Sequence, residues 1–350
     1  MMTTRLEYVW LDGYKTPNLR SKVRYTDTQI RSIDDCVSWG FDGSSTKQAE
    51  GSDSDCVLRP VRLYYNSADT VNSSSYLVLC EVDNADGTPH ESNFRNKLQH
   101  TLSETEQYEM LFGLEQEYVL RNMDDSLCGW PESGLPKPQG EYYCGIGCHN
   151  TSMSQFVEEH TRAMMDAGLT VHGTNAEVML GQWEYQLGPQ YALEVADELW
   201  ISRYLLYKIG ERYGVYPDFH PKPMKGDWNG SGCHINFSTE KMRHEWTMPD
   251  IHKFCEEFGK YTPDLLEVYG EHNKERLTGE HETSAYGEYS YGASDRGCSV
   301  RIPYITMTSG RGYLEDRRPS SNIDPYQAIS GLIDSVTVTE KDMVQVDYKV

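Results

Sequence analysis

Basic side chains are scarce in this sequence. Lys and Arg total 32 against 54 Asp and Glu over 350 residues, a formal net charge of −22. That balance argues against nucleic acid as a partner, because a phosphate binder normally presents a basic face. Long apolar runs are missing too. No stretch approaches the ~20 residues needed to span a bilayer, and the opening MMTTRLEYVW lacks the basic and apolar segments of a secretory leader. Both absences lead to the expectation of a cytoplasmic protein with no membrane partner. The cysteines form no framework: nine, an odd number, are spread from Cys36 to Cys298, which fits a reducing compartment. Cys144, Cys148 and His149 could open a zinc site, but no second ligand pair follows at finger-like spacing. Internal repeats and low-complexity tracts are absent, and so is a Gly-x-x-x-x-Gly-Lys-Ser/Thr loop for cradling nucleotide phosphates.

What is present is a chain with a substantial core, 38% hydrophobic and long enough for two domains, or for one large one. Leu6–Leu11, Val37–Phe41, Cys56–Leu63 and Tyr76–Val82 read as strands separated by Gly, Asn, Asp and Ser clusters. Asn84-Ala-Asp-Gly-Thr-Pro89 is the most loop-like boundary, giving expected domains of 1–87 and 88–350. Beyond it, helical and strand patterns alternate. Helices are expected over Ser154–Ala167 (with Ser152 or Ser154 as N-cap and Gly168 just past the end), Ala192–Tyr213 stopping at Gly214, Ile251–Phe258, and from Pro325 onward.

Four strand-like segments carry unusual polar faces. Residues i and i+2 of a strand point the same way. Glu115 and Glu117 therefore share a face, as do Gln182, Glu184 and Gln186, then His234, Asn236 and Ser238, then Tyr313, Glu315 and Arg317. Any one of these could be the solvated side of an antiparallel sheet. Together they differ from such a face, because the polar members are carboxylates, amides and an imidazole. Glu177 lies seven residues before Glu184, and a turn at Gly181 would bring the two together. Five carboxylates in one cleft would repel one another at several kcal/mol each on desolvation, a conflict that divalent cations remove. Oxygen ligands with one imidazole suit Mg²⁺ or Mn²⁺, two or more ions per site. Arg276, Arg296, Arg301, Arg317 and Arg318 cluster towards the C-terminal end and point to an anion site. Metals and arginines around oxyanions are the components of phosphoryl transfer.

These residues lie in segments that resemble the class II glutamine synthetases: Trp39-Gly-Phe-Asp-Gly-Ser-Ser-Thr46, Phe112-Gly-Leu-Glu-Gln-Glu-Tyr118, Pro138-Gln-Gly-Glu-Tyr-Tyr-Cys-Gly145, Gly173-Thr-Asn-Ala-Glu-Val178, Gln182-Trp-Glu-Tyr-Gln186, Trp228-Asn-Gly-Ser-Gly-Cys-His234, His281-Glu-Thr-Ser284 and Tyr313-Leu-Glu-Asp-Arg-Arg-Pro319. The resemblance implies an α+β fold, a small N-terminal β-grasp domain before a catalytic domain of curved antiparallel sheet and helices. It implies Glu117, Glu177 and Glu184 around one metal and Glu115, His234 and Glu315 around a second. Asn229, Gly230, Arg276, Arg296 and Arg317 become glutamate contacts, with Glu177 beside them. Asn236, Ser238, Arg296, Arg301 and Tyr313 become ATP contacts. Asp42 becomes the ammonium-site aspartate, supplied by a neighbouring subunit, and Glu282 the glutamate of a mobile flap. The implied assembly is a homo-oligomer with intersubunit sites, a decamer of two pentameric rings. The implied substrates are L-glutamate, ammonium and ATP.

The flap departs from the family pattern over Ser284–Arg296, and the adenylylated tyrosine segment of class I enzymes has no counterpart, so adenylylation control is not expected. The alternatives are another carboxylate–amine ligase on the same fold, a non-catalytic relative, or a bare metal- or nucleotide-binding module.

Overall fold

The computed structural model describes residues 3–72 and 74–347, so the outer ends of both expected domains lie outside the described residues. The first sheet contains β1 (Thr4–Leu11), β2 (Leu19–Thr26), β3 (Trp39–Asp42), β4 (Asp55–Tyr65) and β5 (Ser75–Asn84) in the order β2-β1-β5-β4-β3. The two central strands, β1 and β5, run parallel and their neighbours antiparallel, the arrangement of a β-grasp. Alternation decides what each face buries. Leu6, Tyr8, Trp10, Val78, Cys80 and Val82 form a small core on one side with Leu58 and Ile30. Val9, Leu77 and Leu79 point the other way into the main core. β2 escapes sequence detection because Arg20, Lys22 and Arg24 break its apolar pattern. It is an edge strand, where charged side chains discourage pairing with other chains.

The expected boundary is a tight turn, with the Asn84 N–H donating to Thr88 O (2.8 Å) and the Gly87 N–H to Asn84 O (2.9 Å). Asn93 then caps α1 (Phe94–Thr105), its side chain accepting from the Asn96 N–H.

The second sheet is built on β6 (Leu111–Asn122). After α2 (Ser154–Asp166) come β7 (Val171–Ala176), β8 (Gln182–Gln190), α3 (Ala192–Tyr213), β9 (Val215–Asp218) and β10 (Cys233–Ser238). The chain continues through α4 (Glu240–His244), α5 (Met248–Phe258), α6 (Thr262–Val268), α7 (Asn273–Arg276), β11 (Tyr291–Ala293), β12 (Val300–Ile302), α8 (Tyr304–Ser309), β13 (Leu314–Asp316) and α9 (Pro325–Asp347). Strand order is β11-β12-β13-β10-β6-β8-β7, with β9 pairing the far end of β6. All these pairings are antiparallel except β11 with β12. One face packs on the long helices. α3 lies against β6 and β8, and α9 against α1, α3, α5 and α6.

One helix cap and one helix start differ from expectation. α2 begins at Ser154 as expected, but its N-cap is Met153 in a left-handed conformation (φ 63°), and the Ser152 hydroxyl donates to Cys128 O at 3.0 Å. α5 begins at Met248, three residues early, where Thr247 and Asp250 make a capping box. α3 and the Pro325 start of α9 match expectation. Among the described residues, no helix is long and apolar enough to cross a membrane.

A buried ionic cluster pins the two sheets together. Arg95 of α1 donates to Glu81 of β5 (2.7 Å) and twice to Asp197 of α3 (2.8 and 2.9 Å), and the Tyr326 hydroxyl of α9 donates to Asp197 (2.6 Å). Arg95→Ala would remove the buried cation shared by Glu81 and Asp197, leaving only the more exposed Arg59 on Glu81 and Arg62, 3.7 Å away, near Asp197. The expected cost is about 3–5 kcal/mol, read as a lowered urea midpoint at fixed protein concentration.

Candidate active site

Strand register brings the polar faces together. Across antiparallel strands, directly paired residues stand on the same face. Glu115 of β6 pairs Gln186 of β8 and His234 of β10, and Glu117 pairs Glu184. Asn175 of β7 pairs Glu184, Asn236 of β10 pairs Glu315 of β13, and Glu315 pairs Arg301 of β12. The opposite residues, including Leu114, Tyr118, Tyr185, Leu187, Ile235, Phe237 and Leu314, enter the core. Glu177 follows β7 in the turn expected at Gly181. Its N–H donates to Gln182 O at 2.9 Å, and Gly181 has φ +84°. A Cβ there would stand 2.5 Å from Cys128 O, so glycine is required on two counts.

The resulting cleft is lined by all five carboxylates, by His234, and by Asn229, Gly230, Arg276, Glu282, Arg296, Arg301 and Arg317. Asn236, Ser238 and Tyr313 line a more apolar neighbouring cleft, joined to the first by Glu115 and Gln186. Asp42 stands apart on the first sheet. It caps a short turn, accepting from the Ser44 N–H (3.0 Å) and the Ser44 and Ser45 hydroxyls (2.6 and 3.1 Å). Those donors hold its carboxyl below the usual range.

Arg318, expected in the anion cluster, does not join it. It is buried behind the sheet, donating to Asp316 and Thr262. Residue 318 follows Arg317 directly, and neighbours along an extended chain face opposite ways.

The electrostatics are those of crowded, desolvated acids. Burial and then Glu177 push the Glu117 carboxyl up to about 8. Burial raises Glu177 to about 6, and burial with Glu115, Glu117 and Glu177 raises Glu184 well above its ordinary value. Burial, then Arg317 and Arg276, hold His234 far below the usual imidazole range. Glu315 is neutralised by Arg301 (2.7 Å) and Arg317 (2.6 Å).

Each of the other four glutamates receives one side-chain amide. Asn236 donates to Glu115 (2.8 Å), Gln182 to Glu117 (3.1 Å), Asn175 to Glu177 (2.9 Å) and Gln186 to Glu184 (2.9 Å). An amide on one oxygen orients the carboxylate, the supporting arrangement typical of metal ligands, and the second oxygen of Glu177 also accepts from the Val178 N–H (3.2 Å). Ligand atoms of Glu115, Glu184 and His234 lie within 4.8 Å of one another. Glu184 thus approaches the second expected metal group, and Glu315, held by its two arginines, keeps one oxygen 3.7 Å from His234 Nδ1. The donor set fits hard divalent cations.

Tyr143, Asn175, Gln186, His281 and Thr283 also line the cleft, beyond the site residues expected from sequence. Gln186 was legible, since it shares a strand face with Glu184. Tyr143 had no periodic signal, although its ring faces the Arg296 guanidinium 5.6 Å away.

The raised carboxyl values set a pH dependence. A folded-state value above the ordinary 4.5 favours the protonated acid, so this stability is present at low pH and lost as pH climbs through the folded value. In metal-free buffer, the unfolding temperature is expected to fall from about pH 5 to about 8 more steeply than in Glu117→Gln, and Mg²⁺ should remove the difference. Parallel thermal-melt profiles for the two metal-free proteins would refute the crowding.

A family model described as the glutamine synthetase catalytic domain matches residues 92–257. The chain is 44% identical to glutamine synthetase of Yarrowia lipolytica over 344 residues, covering 97% of this chain and 93% of the relative. It is 45% identical to the glutamine synthetase of Saccharomyces cerevisiae, over 96% and 91% of the two chains. The figures for that of Agaricus bisporus are 45%, 96% and 93%. The chain belongs to the glutamine synthetase family, the ATP-dependent ligases of glutamate and ammonia.

Proposed function

We propose that this ligase works through γ-glutamyl phosphate, formed in the acidic cleft and consumed there by ammonia. The reading rests on one observation, the convergence of five glutamates and a histidine on one cleft beside four arginines. Glu117, Glu177 and Glu184 would hold one Mg²⁺ or Mn²⁺, and Glu115, His234 and Glu315 a second; such ions offset charge on a transferring phosphoryl group.

The cleft's own residues supply the rest. Asn236, Ser238 and Tyr313 hold the ATP base side in the more apolar cleft, whose walls include Leu114, Leu187 and Phe237. The phosphates then reach the acidic cleft past Glu115. Arg301 uses one terminal nitrogen on Glu315 and keeps a buried Nε–H without a partner, a donor suited to a phosphate oxygen. Arg296 lies between Tyr143 and Glu282, placed to meet both the glutamate carboxylate and the phosphoryl group. Asn229 and Gly230 position glutamate together with Arg276 and Arg317. Both terminal nitrogens of Arg276 already donate to Arg317 O, Arg318 O and His234, so its contribution is through Nε.

Attack by the glutamate γ-carboxylate oxygen on the terminal phosphorus breaks the bond to ADP. Asp42 of a neighbouring copy, kept anionic by its serine donors, attracts ammonium and takes up one of its protons, and the ammonia so formed attacks the acyl carbon, passing its surplus proton to the departing phosphate. The carbon–oxygen bond to phosphate breaks, releasing glutamine and phosphate. Glu282 closes over the intermediate and excludes water. A decamer of two pentameric rings in the cytoplasm is the assembly this reading implies.

Glu117→Ala is expected to cut glutamine synthesis by about 100-fold or more while the protein stays folded. A γ-glutamyl hydroxamate assay with ATP, glutamate, hydroxylamine and saturating Mg²⁺ measures it; unchanged turnover would sink the ligand assignment. Inactive Asp42→Ala chains co-assembled with inactive Glu117→Ala chains should regain part of the activity, since some interfaces pair an intact Asp42 with an intact cleft. Mixed rings as dead as either parent, with co-assembly proven, would rule out a shared site.

A further inference from the structure

Three loops meet at the mouth of the cleft, and one histidine joins them. His281 and Glu282 are consecutive non-glycine residues with φ of 54° and 61°. L-residues rarely hold the left-handed conformation twice running, so the surroundings must impose it. On one side, the Thr283 hydroxyl donates to Glu280 O (2.8 Å), within reach of Arg276 O as well. On the other, His281 contacts both Gln139 and Asp227.

The direction of each hydrogen bond follows from the chemistry. The Asn229 backbone N–H can only donate, and its acceptor is the Gln139 side-chain oxygen. The Gln139 amide nitrogen, which can only donate, therefore faces His281 Nδ1 at 3.3 Å. Nδ1 must then be the unprotonated ring nitrogen, which puts the ring proton on Nε2, 3.4 Å from an Asp227 carboxylate oxygen. Every donor meets an acceptor from Asn229 through Gln139 and His281 to Asp227. The Asp227 side chain is 98% exposed, so its link is screened and weak. The Gln139 link is the stronger constraint.

We propose that Gln139 and His281 are positioning residues that couple glutamate occupancy at Asn229 to closure of Glu282 over the cleft. The proposal rests on the assignment of Asn229 to glutamate and of Glu282 to the flap. Asn229 and Gly230 line the cleft, so a carboxylate seated there moves or fixes the segment whose N–H holds Gln139. Gln139 in turn fixes the ring of His281, and Glu282 is the next residue. A filled glutamate site thereby favours the conformation that guards the acyl phosphate, and an empty one leaves the flap free to open.

Hydrogen–deuterium exchange of the flap tests this in the assembled enzyme with Mg²⁺ and ADP, with and without glutamate. In the unsubstituted protein, glutamate should slow exchange over residues 278–290 by about tenfold. Gln139→Ala and His281→Ala should each lose that slowing and, by reciprocity, bind glutamate up to about tenfold more weakly at equilibrium. Both should also release more than one phosphate per glutamine, a leak that a purely structural role would not produce. Retained slowing with one phosphate per glutamine in either variant overturns the coupling. Asn229→Ala separates the two levels. Loss of glutamate binding there, with slowing retained in the loop variants, defeats the coupling alone. Unaltered glutamate binding in Asn229→Ala defeats the assignment and the coupling with it.

Discussion

Carboxylates that face one another out of water repel strongly, and a chain that gathers five of them must hold them by force of its architecture. Here the force comes from behind the sheet. The core-facing residues of the same strands are locked, some by apolar packing and some by buried polar clamps. Arg203 grips Gln116 on the reverse of β6 (2.9 and 2.6 Å). Arg318 and the Tyr269 hydroxyl grip Asp316 on the reverse of β13. With their backs fixed, the strands cannot twist away to relieve repulsion on the front. The remaining relief is chemical: an amide for each of four glutamates, two arginines for the fifth, and a proton or a cation for what is left.

This explains why each arginine acquires a different task. Arg317 and Arg301 are committed to Glu315, Arg276 to backbone carbonyls and His234, and Arg296 stays half-exposed between Tyr143 and Glu282. A cluster of one residue type in the sequence has become a graded set, from structural clamp to accessible anion donor. Alternation along the extended chain just after β13 sorts Arg317 from Arg318, and burial sorts the rest.

Much of the cleft was legible because strand alternation is a geometric certainty once a strand exists. Glu115 with Glu117, and His234 with Asn236, follow from spacing alone, and Gly181 marked the turn that returns Glu184 to Glu177. Cross-strand register was not legible. No property of β8 by itself says that Glu184 stands opposite Glu117, and so the closeness of Glu184 to Glu115 and His234 was missed. β2 was hidden because a strand at the edge of a sheet need not alternate cleanly. Asp42 could be singled out only by resemblance, since nothing local separates it from any turn-capping aspartate.

The order of strands in the second sheet has a consequence for biogenesis. β6 lies inside the sheet between β10 and β8, yet both neighbours come later in the chain, and β13, which carries Glu315, is made almost last. Contacts between such distant segments close slowly, because long loops must be ordered first. Four of the five glutamates lie on or beside β6, β7 and β8 and are made by residue 190, but Glu315 joins them only when β13 docks on β10. The cleft comes into being as one of the final events of folding, so a partly synthesised chain holds neither the complete ligand set nor the means to sequester metal or nucleotide in a half-built site.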